Sequence, residues 1–589
     1  MKKITALVLV VLMLIVAVPF GAFAATEYVV INNAQELANI KDGKYWLAAD
    51  INLSAANWTK IAEFSGILDG NGHTITVPQN TVLFDTVTGT IKNVNLVSAS
   101  KVTLENDDIS TFKTPETEIH EAGAGIGVLA NVAKGATIEN VHTNVQVLYN
   151  QLSASVGLGV HVGGLVGIAL ADYTVDGNNL VINRETVIRN CSTDGLFDVD
   201  WKWDNSLTGD KVFKNGFGGI VGYAYGNVVI EKCLSSVDYE FYKNRARTGG
   251  VVGQCRSLSY GQTYDNYREV IKPVEITNCL VNGNLNKVEG YALDVVGGIT
   301  GYNIGVTITN CVFAGDLNNT DGGQVRHLFA YSNVGNTEYG RTVIQGCLSV
   351  GTASERGTAT NEVIYGKGRG IFALNNYLVA GQTITIETSG SAVPDMTTQN
   401  VGNTEYDTEA LAVAAFVAAN SDNFKLVEGE ITLIQPTFTP KNNPPEYVTL
   451  YENDNKNYVT TGKDLERDEY NNESYAGFIQ FSTTEPSKAR IVMAISDDEL
   501  ENATYESFDM VIFVVGDNGA TEKSLTINSK NLDAYLSVKA AGVDFIADNC
   551  QMFGLVVDFG TFVPESIEVS IVAEGAAESM YTASWSDAG

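Results

Sequence analysis

The sequence predicts an all-β protein: a right-handed parallel β-helix followed by a C-terminal antiparallel β-sandwich. Three observations carry this. A Gly-Gly-aliphatic-x-Gly unit returns along the first part of the chain. An Ile-x-Asn-Cys unit returns in alternation with it. Both stop before a Pro- and Asn-rich stretch near residue 440, beyond which the apolar runs change character. A unit of short β-branched segments cannot bury its apolar face alone, so copies must stack.

The elements follow in chain order. Lys2 and Lys3, the apolar run Ile4 to Phe20 and Ala22-Phe23-Ala24 form a secretory signal peptide over residues 1–24. Export places the protein outside the cell, secreted or surface-associated, with no membrane span in the mature chain. Residues 25–435 hold the repeat. Ala34 to Ile40 reads as a short helix that caps the first coil.

The Gly-Gly unit stands at Gly163-Gly164-Leu165-Val166-Gly167, at Gly218 to Gly222, at Gly249 to Gly253 and at Gly297 to Gly301. The second unit ends at Cys191, Cys233, Cys279, Cys311 and Cys347, with Val94 and Val141 in the same slot earlier. A slot that accepts valine is a buried apolar one. The five cysteines are therefore expected to stack inside the coil rather than form disulfides or hold metal. Cys255 and Cys550 fall outside the ladder. Seven cysteines in an exported chain leave free thiols, which fits a reducing niche. Asn93, Asn140, Asn190, Asn278 and Asn310 precede the slot, where a left-handed corner and an amide ladder are expected.

These residues resemble the GLUG repeat of bacterial surface and secreted proteins. The run Gly66 to Ile75 resembles the opening coil that often precedes such repeats. The resemblance covers roughly residues 27–435 and implies the β-helix architecture. It also implies an adhesin-like setting, with no activity attached.

Asp407 to Ala419 predicts a helix that caps or closes the far end of the array. Residues 436–446 read as a linker, from Pro436, Pro440, Pro444 and Pro445. Residues 447–589 read as the sandwich, from alternating or apolar runs at 476–481, 490–494, 509–515, 552–559 and 567–573.

Composition narrows the function. The 589 residues carry 37 basic and 69 acidic side chains, a net charge of −32. That acidity excludes a nucleic-acid footprint. With 44% hydrophobic and 18% charged residues, it also excludes wholesale disorder. No catalytic motif, cofactor fingerprint or metal-ligand spacing appears. Asn453, Asp454, Asn455 and Asn457 read as a turn, with a structural Ca²⁺ loop as the alternative.

The insertions carry the candidate ligand-binding residues. Asp198, Asp200 and Asp204 cluster with Trp201 and Trp203. Arg245 and Arg247 follow Tyr239 and Tyr242. Tyr260, Tyr264 and Tyr267 add further rings. Aromatic faces beside carboxylates and guanidinium groups suit sugar rings and their hydroxyls. The expected function is a non-catalytic binding scaffold that contacts a glycan or a host or neighbouring surface protein. The alternatives are a carbohydrate-active enzyme and a structural wall or matrix component. A lyase would need a base and Ca²⁺ held by carboxylates; a hydrolase would need a carboxylate pair.

Overall fold

The computed structural model describes residues 28–436, 438 and 440, except 56, 106–107, 115–122, 151–158, 201–214, 243–245, 258–264, 290–294, 320–323, 335–340, 356, 369 and 388–398. Beyond residue 440 it describes the strands named below. The signal-peptide residues, Trp201, Trp203, Asp204, Arg245, Tyr260, Tyr264 and the Asn453–Asn457 turn lie outside the described residues. The chain divides into two compact units, one of Tyr28–Asn442 and one that includes Asn443–Gly589.

In the first unit the chain visits three parallel sheets in rotation. One full turn runs Val160–Gly163 in sheet C, Val166–Leu170 in sheet B, then Thr186–Arg189 and Ser192–Asp200 in sheet A. The next turn repeats this with Asn215–Gly218, Val221–Tyr225, Val228–Glu231 and Leu234–Tyr242. Successive turns pair in parallel register, with Val162 opposite Phe217, Ile168 opposite Tyr223 and Ile188 opposite Ile230. This all-β arrangement of long parallel sheets is consistent with a β-solenoid.

Alternation decides what points inward. Ile91, Ile138, Ile188, Ile230, Ile276, Ile308 and Ile344 form one fully buried column. Immediately after each corner stands the expected slot: Val94, Val141 and the five cysteines, all buried and with no disulfide. Each cysteine thiol donates back to the isoleucine carbonyl of the preceding turn, as in Cys233 Sγ to Ile188 O (3.6 Å) and Cys311 Sγ to Ile276 O (3.5 Å). Asn376 and Asn403 continue the column, although the sequence reading ended it at Cys347. Their amides give the same bond, to Ile344 O (3.0 Å) and Ala373 O (3.1 Å).

The corner between isoleucine and the slot is left-handed in every turn. Asn93, Asn140, Asn190, Asn278, Asn310 and Asn375 have φ between 51° and 57°, and Lys232 has φ 51°. Gly346 takes the position at φ 64°. The amide ladder is partial. Asn140 donates to Asn93 (2.9 Å) and Asn93 to Asp69 (3.0 Å), whereas the side-chain oxygens of Asn190 and Asn278 have no hydrogen-bond partner.

The second glycine of each Gly-Gly pair is there for contact with the next turn. A Cβ at Gly164, Gly219 or Gly250 would lie 2.0–2.2 Å from the carbonyl oxygen of the following Gly219, Gly250 or Gly298. Among the described residues sheet C ends with Gln324–Arg326, and no further sheet-C strand pairs with it. The pair is there replaced by Arg326-His327, and His327 is buried with its Nδ1 3.0 Å from Ser349 Oγ.

Helix α1 spans Ala34–Leu37, with the Asn33 side chain accepting from the backbone N–H of Gln35 (3.1 Å) and Glu36 (3.0 Å). Helix α2 spans Tyr267–Val270. Helix α3 spans Glu409–Ala419. Its Ala412, Val413 and Phe416 share one apolar cluster with Leu280, Val312 and Leu348 on the outer flank of sheet A. The chain then forms the hairpin Phe424–Val427 and Glu430–Leu433 and turns back along the coils. Gln435 Nε2 donates to Cys191 O (3.1 Å) and Lys232 O (3.4 Å). Phe438 and Pro440 rest on Gly72 of the first turns. The segment expected as a linker from residue 436 thus belongs, through Pro440, to the coil stack.

In the second unit, two antiparallel sheets form. One orders Thr449–Leu450, Cys550–Asp558, Lys488–Ser496 and Tyr475–Phe481. The other orders Glu466–Arg467, Ser579–Ser586, Pro564–Ala573, Phe508–Gly516 and Thr521–Asn528. Phe508, Met510 and Ile512 alternate with more exposed neighbours, as do Ile567, Val569 and Ile571. Among the described residues no helix is long and apolar enough to cross a membrane.

Candidate functional site

Sheet A passes to sheet C through insertions at a single corner of the coil. Residues 151–159, 201–214, 243–245, 290–294 and 320–323 each begin after paired sheet-A strands and end before paired sheet-C strands. Coil length varies there and also between sheets B and A, where residues 171–185 and 257–273 stand against 226–227 and 305 in other turns.

Just past that corner, one residue of each sheet-C strand faces away from the solenoid core. The column reads Gly125, His161, Gly216, Arg247 and Val295 in register. The next position, Ile126, Val162, Phe217, Thr248 and Val296, points inward and is buried. Sheet B supplies a facing column of Ile168, Tyr223, Gln254 and Tyr302. Arg247 meets it directly. Its guanidinium carbon lies 3.4 Å from the centre of the Tyr302 ring, and Nη1 donates to Gln254 Oε1 at 2.9 Å. The side chain is thus held flat on an aromatic face and fixed by an amide.

One turn pair earlier, His161 is 3% exposed, with its ring centroid 4.6 Å from that of Tyr223 and 6.3 Å from that of Phe112. Its Nδ1 has no hydrogen-bond partner. Gly216 leaves room for it, since a Cβ there would stand 2.8 Å from Nδ1. Burial first, and the Arg247 charge second, push its pKa down to about 3. The ring is neutral at physiological pH, so it does not exchange protons there as a catalytic acid or base would.

The other sequence-named residues are placed as follows. Tyr239 is 1% exposed, inside the coil, with its hydroxyl on Gly218 O at 2.6 Å and its ring against Phe197 at 5.5 Å. Strand alternation turns 237 and 239 inward, so Tyr239 is a core residue and not a ligand contact. Asp198 is 8% exposed and ion-paired with Lys101. Its carboxylate serves the coil wall. Asp200 and Tyr242 are paired on neighbouring strands by their backbones. Tyr267 is fully buried under an outer apolar layer with Tyr225, Leu180 and Ile271, where helix α2 and the hairpin Asp172–Asp176/Asn179–Arg184 cover sheet B. Of the named binding residues whose side chains are described, Arg247 joins the Tyr302 platform. His161, Gln254 and Tyr302 were missed, although His161 and Arg247 both stand two residues before a Gly-Gly pair.

A second polar cluster fills the corner of the first turns. Lys60 Nζ lies 2.7 Å from Asp85 Oδ1, and Ser110 Oγ and Asn131 Nδ2 donate to the same oxygen. Asp85 and Asn131 occupy the column that later turns give to Gly167, Gly222 and Gly253. With Lys60 paired to the Asp85 carboxylate, the group braces the corner. Among the described residues no group of three or more His, Cys, Asp or Glu could hold a metal ion.

No protein-family model matches the sequence, so the GLUG resemblance has no family match behind it. No curated protein matches either. Among solved structures, the chain is similar to a "putative immunoglobulin A1 protease" from Bacteroides ovatus. The identity is 16%, the match covers 70% of this chain and 94% of that one, and the TM-score is 0.32. A likeness at that level transfers neither fold nor activity.

Proposed function

We propose that the protein is an exported, GLUG-type right-handed β-helix with a C-terminal β-sandwich. Its work is non-catalytic: it presents its insertion corner to a glycan or to a surface protein of a host or neighbouring cell. The observation that carries this reading is the Arg247–Tyr302–Gln254 platform, which stands just past the corner where sheet A passes to sheet C. An arginine laid on an aromatic ring, with an amide at its edge, suits hydroxyl- or carboxylate-bearing sugars. Export rests on the charged, apolar and A-x-A pattern of residues 1–24.

The test is a glycan-array screen of the mature protein from Ala25, with and without Ca²⁺, followed by product analysis of any bound glycan. Binding without cleavage, weakened about tenfold or more in Arg247→Ala, is the expected result. Shortened or unsaturated products would replace the scaffold reading with a lyase or hydrolase. No binding across the array, together with wall retention or self-association, would favour a structural component.

A further inference from the structure

In a stack of coils each turn touches only its neighbours, so the ends open first and the middle last. This stack has a contact that stacking does not supply. The segment after the last turn leaves the flank at Tyr377 and Tyr406, where Phe416 of helix α3 lies edge-on to Tyr377 at 5.4 Å and against Phe424 at 5.0 Å. Ala412, Val413, Phe416, Phe424 and Leu433 of the segment share one apolar cluster with Leu348, Val312 and Leu280. It then hydrogen-bonds the corner carbonyls of Lys232 and Cys191 through Gln435, and ends with Phe438 and Pro440 on Gly72. One covalent segment therefore touches the last turns, the middle and the first.

The outer column beneath it is built for this. The residue after the cysteine slot is Asn95, His142 and Ser192 in the early turns, then Leu234, Leu280, Val312 and Leu348, followed by Tyr377. The apolar residues lie under the helix and hairpin. The polar ones satisfy each other where no apolar cover reaches, as His142 does with Ser192 (2.7 Å) and Asn140 (2.8 Å).

We propose that residues 408–440 act as a clamp that couples the two ends of the coil stack, so that loosening the last turns also loosens the first. Besides the Gln435 bridge between two neighbouring coils, the clamp joins coils that are otherwise linked only through all the turns between them.

Hydrogen exchange of the full mature protein tests this. In Gln435→Ala/Phe438→Ser, amides of residues 67–76 and 90–97 should exchange about tenfold faster, while those of 306–317 stay unchanged. Phe416→Leu, at the opposite end, should also speed exchange in 67–97 severalfold, and that distant effect should vanish in the Gln435→Ala/Phe438→Ser background. A Phe416→Leu effect confined to residues 342–406 would overturn the clamp and leave the segment as local packing. Unchanged exchange at 67–97 in the first variant would do the same. Gln435→Ala alone removes two hydrogen bonds and no apolar contact, and keeps the comparison available where the double variant does not fold.

Discussion

At the residue scale, His161 is the side chain whose environment makes the clearest demand. The folded protein keeps it neutral down to about pH 3, whereas the unfolded chain takes up its proton near 6.5. Below 6.5 the unfolded state binds more protons, so stability falls as pH falls from there toward 3; above 6.5 the contribution is complete. His142 and His327, both pushed down mainly by burial, act in the same sense. The wild type should therefore lose stability relative to His161→Gln by about 1.4 kcal/mol per pH unit between pH 6 and 4. Urea unfolding at pH 7, 6, 5 and 4 checks this, and parallel pH profiles would refute it. Sequence could not reveal this burial, because one histidine among glycines and valines carries no sign of which strand face it takes. The cysteines were legible for the opposite reason. Val94 and Val141 share their slot, and only a buried apolar column accepts both side chains.

At the scale of elements, the Gly-Gly pairs show what repetition can and cannot disclose. Their order marks the turns, and their mechanical need is steric. At Gly219 a Cβ would meet the Gly250 carbonyl at 2.1 Å and Ser235 Oγ at 2.0 Å. Gly219→Ala should cost about 3 kcal/mol, because a backbone oxygen of the next turn cannot step aside without moving that turn. His327, in the equivalent position after Gln324–Arg326, should tolerate alanine better, since among the described residues no sheet-C strand pairs beyond it. A shift in urea midpoint no larger for Gly219→Ala than for His327→Ala would contradict the steric account. Helix α3 was legible as a helix from its alanine-rich run, but not as a flank helix. Its destination depends on the outer residue of each turn, and Leu280, Val312 and Leu348 become one surface only once the turns stack. The same holds for the alternating column Asp69, Lys92, Glu139 and Arg189. There Arg189 and Glu139 pair at 3.0 Å at the surface, contributing no more than about 0.5 kcal/mol. The corner insertions were legible as insertions. Their aromatics were not separable by sequence into rings that pack and rings that face out, and Tyr239 and Tyr267 prove to pack.

At the scale of the whole molecule, the two units differ in how they are held. The coil stack is parallel, with pairings that link residues one turn apart, and its core runs as one cluster from Ile31 to Ala373. The second unit is antiparallel, and its strands pair only among themselves. No sheet among the described residues is shared between the units. Calorimetry of the mature protein should therefore resolve two transitions. Unfolding enthalpy scales with the number of residues, so the transition of Tyr28–Asn442 should be about threefold larger than that of Asn443–Gly589. The clamp sharpens this expectation. With residues 408–440 seated across the turns, the larger transition should be a single narrow one. The Gln435→Ala/Phe438→Ser protein should broaden it as the first turns melt ahead of the rest, and leave the smaller transition where it was. One transition for the entire chain, unchanged by that variant, would mean that the units unfold as one body through contacts other than shared sheets.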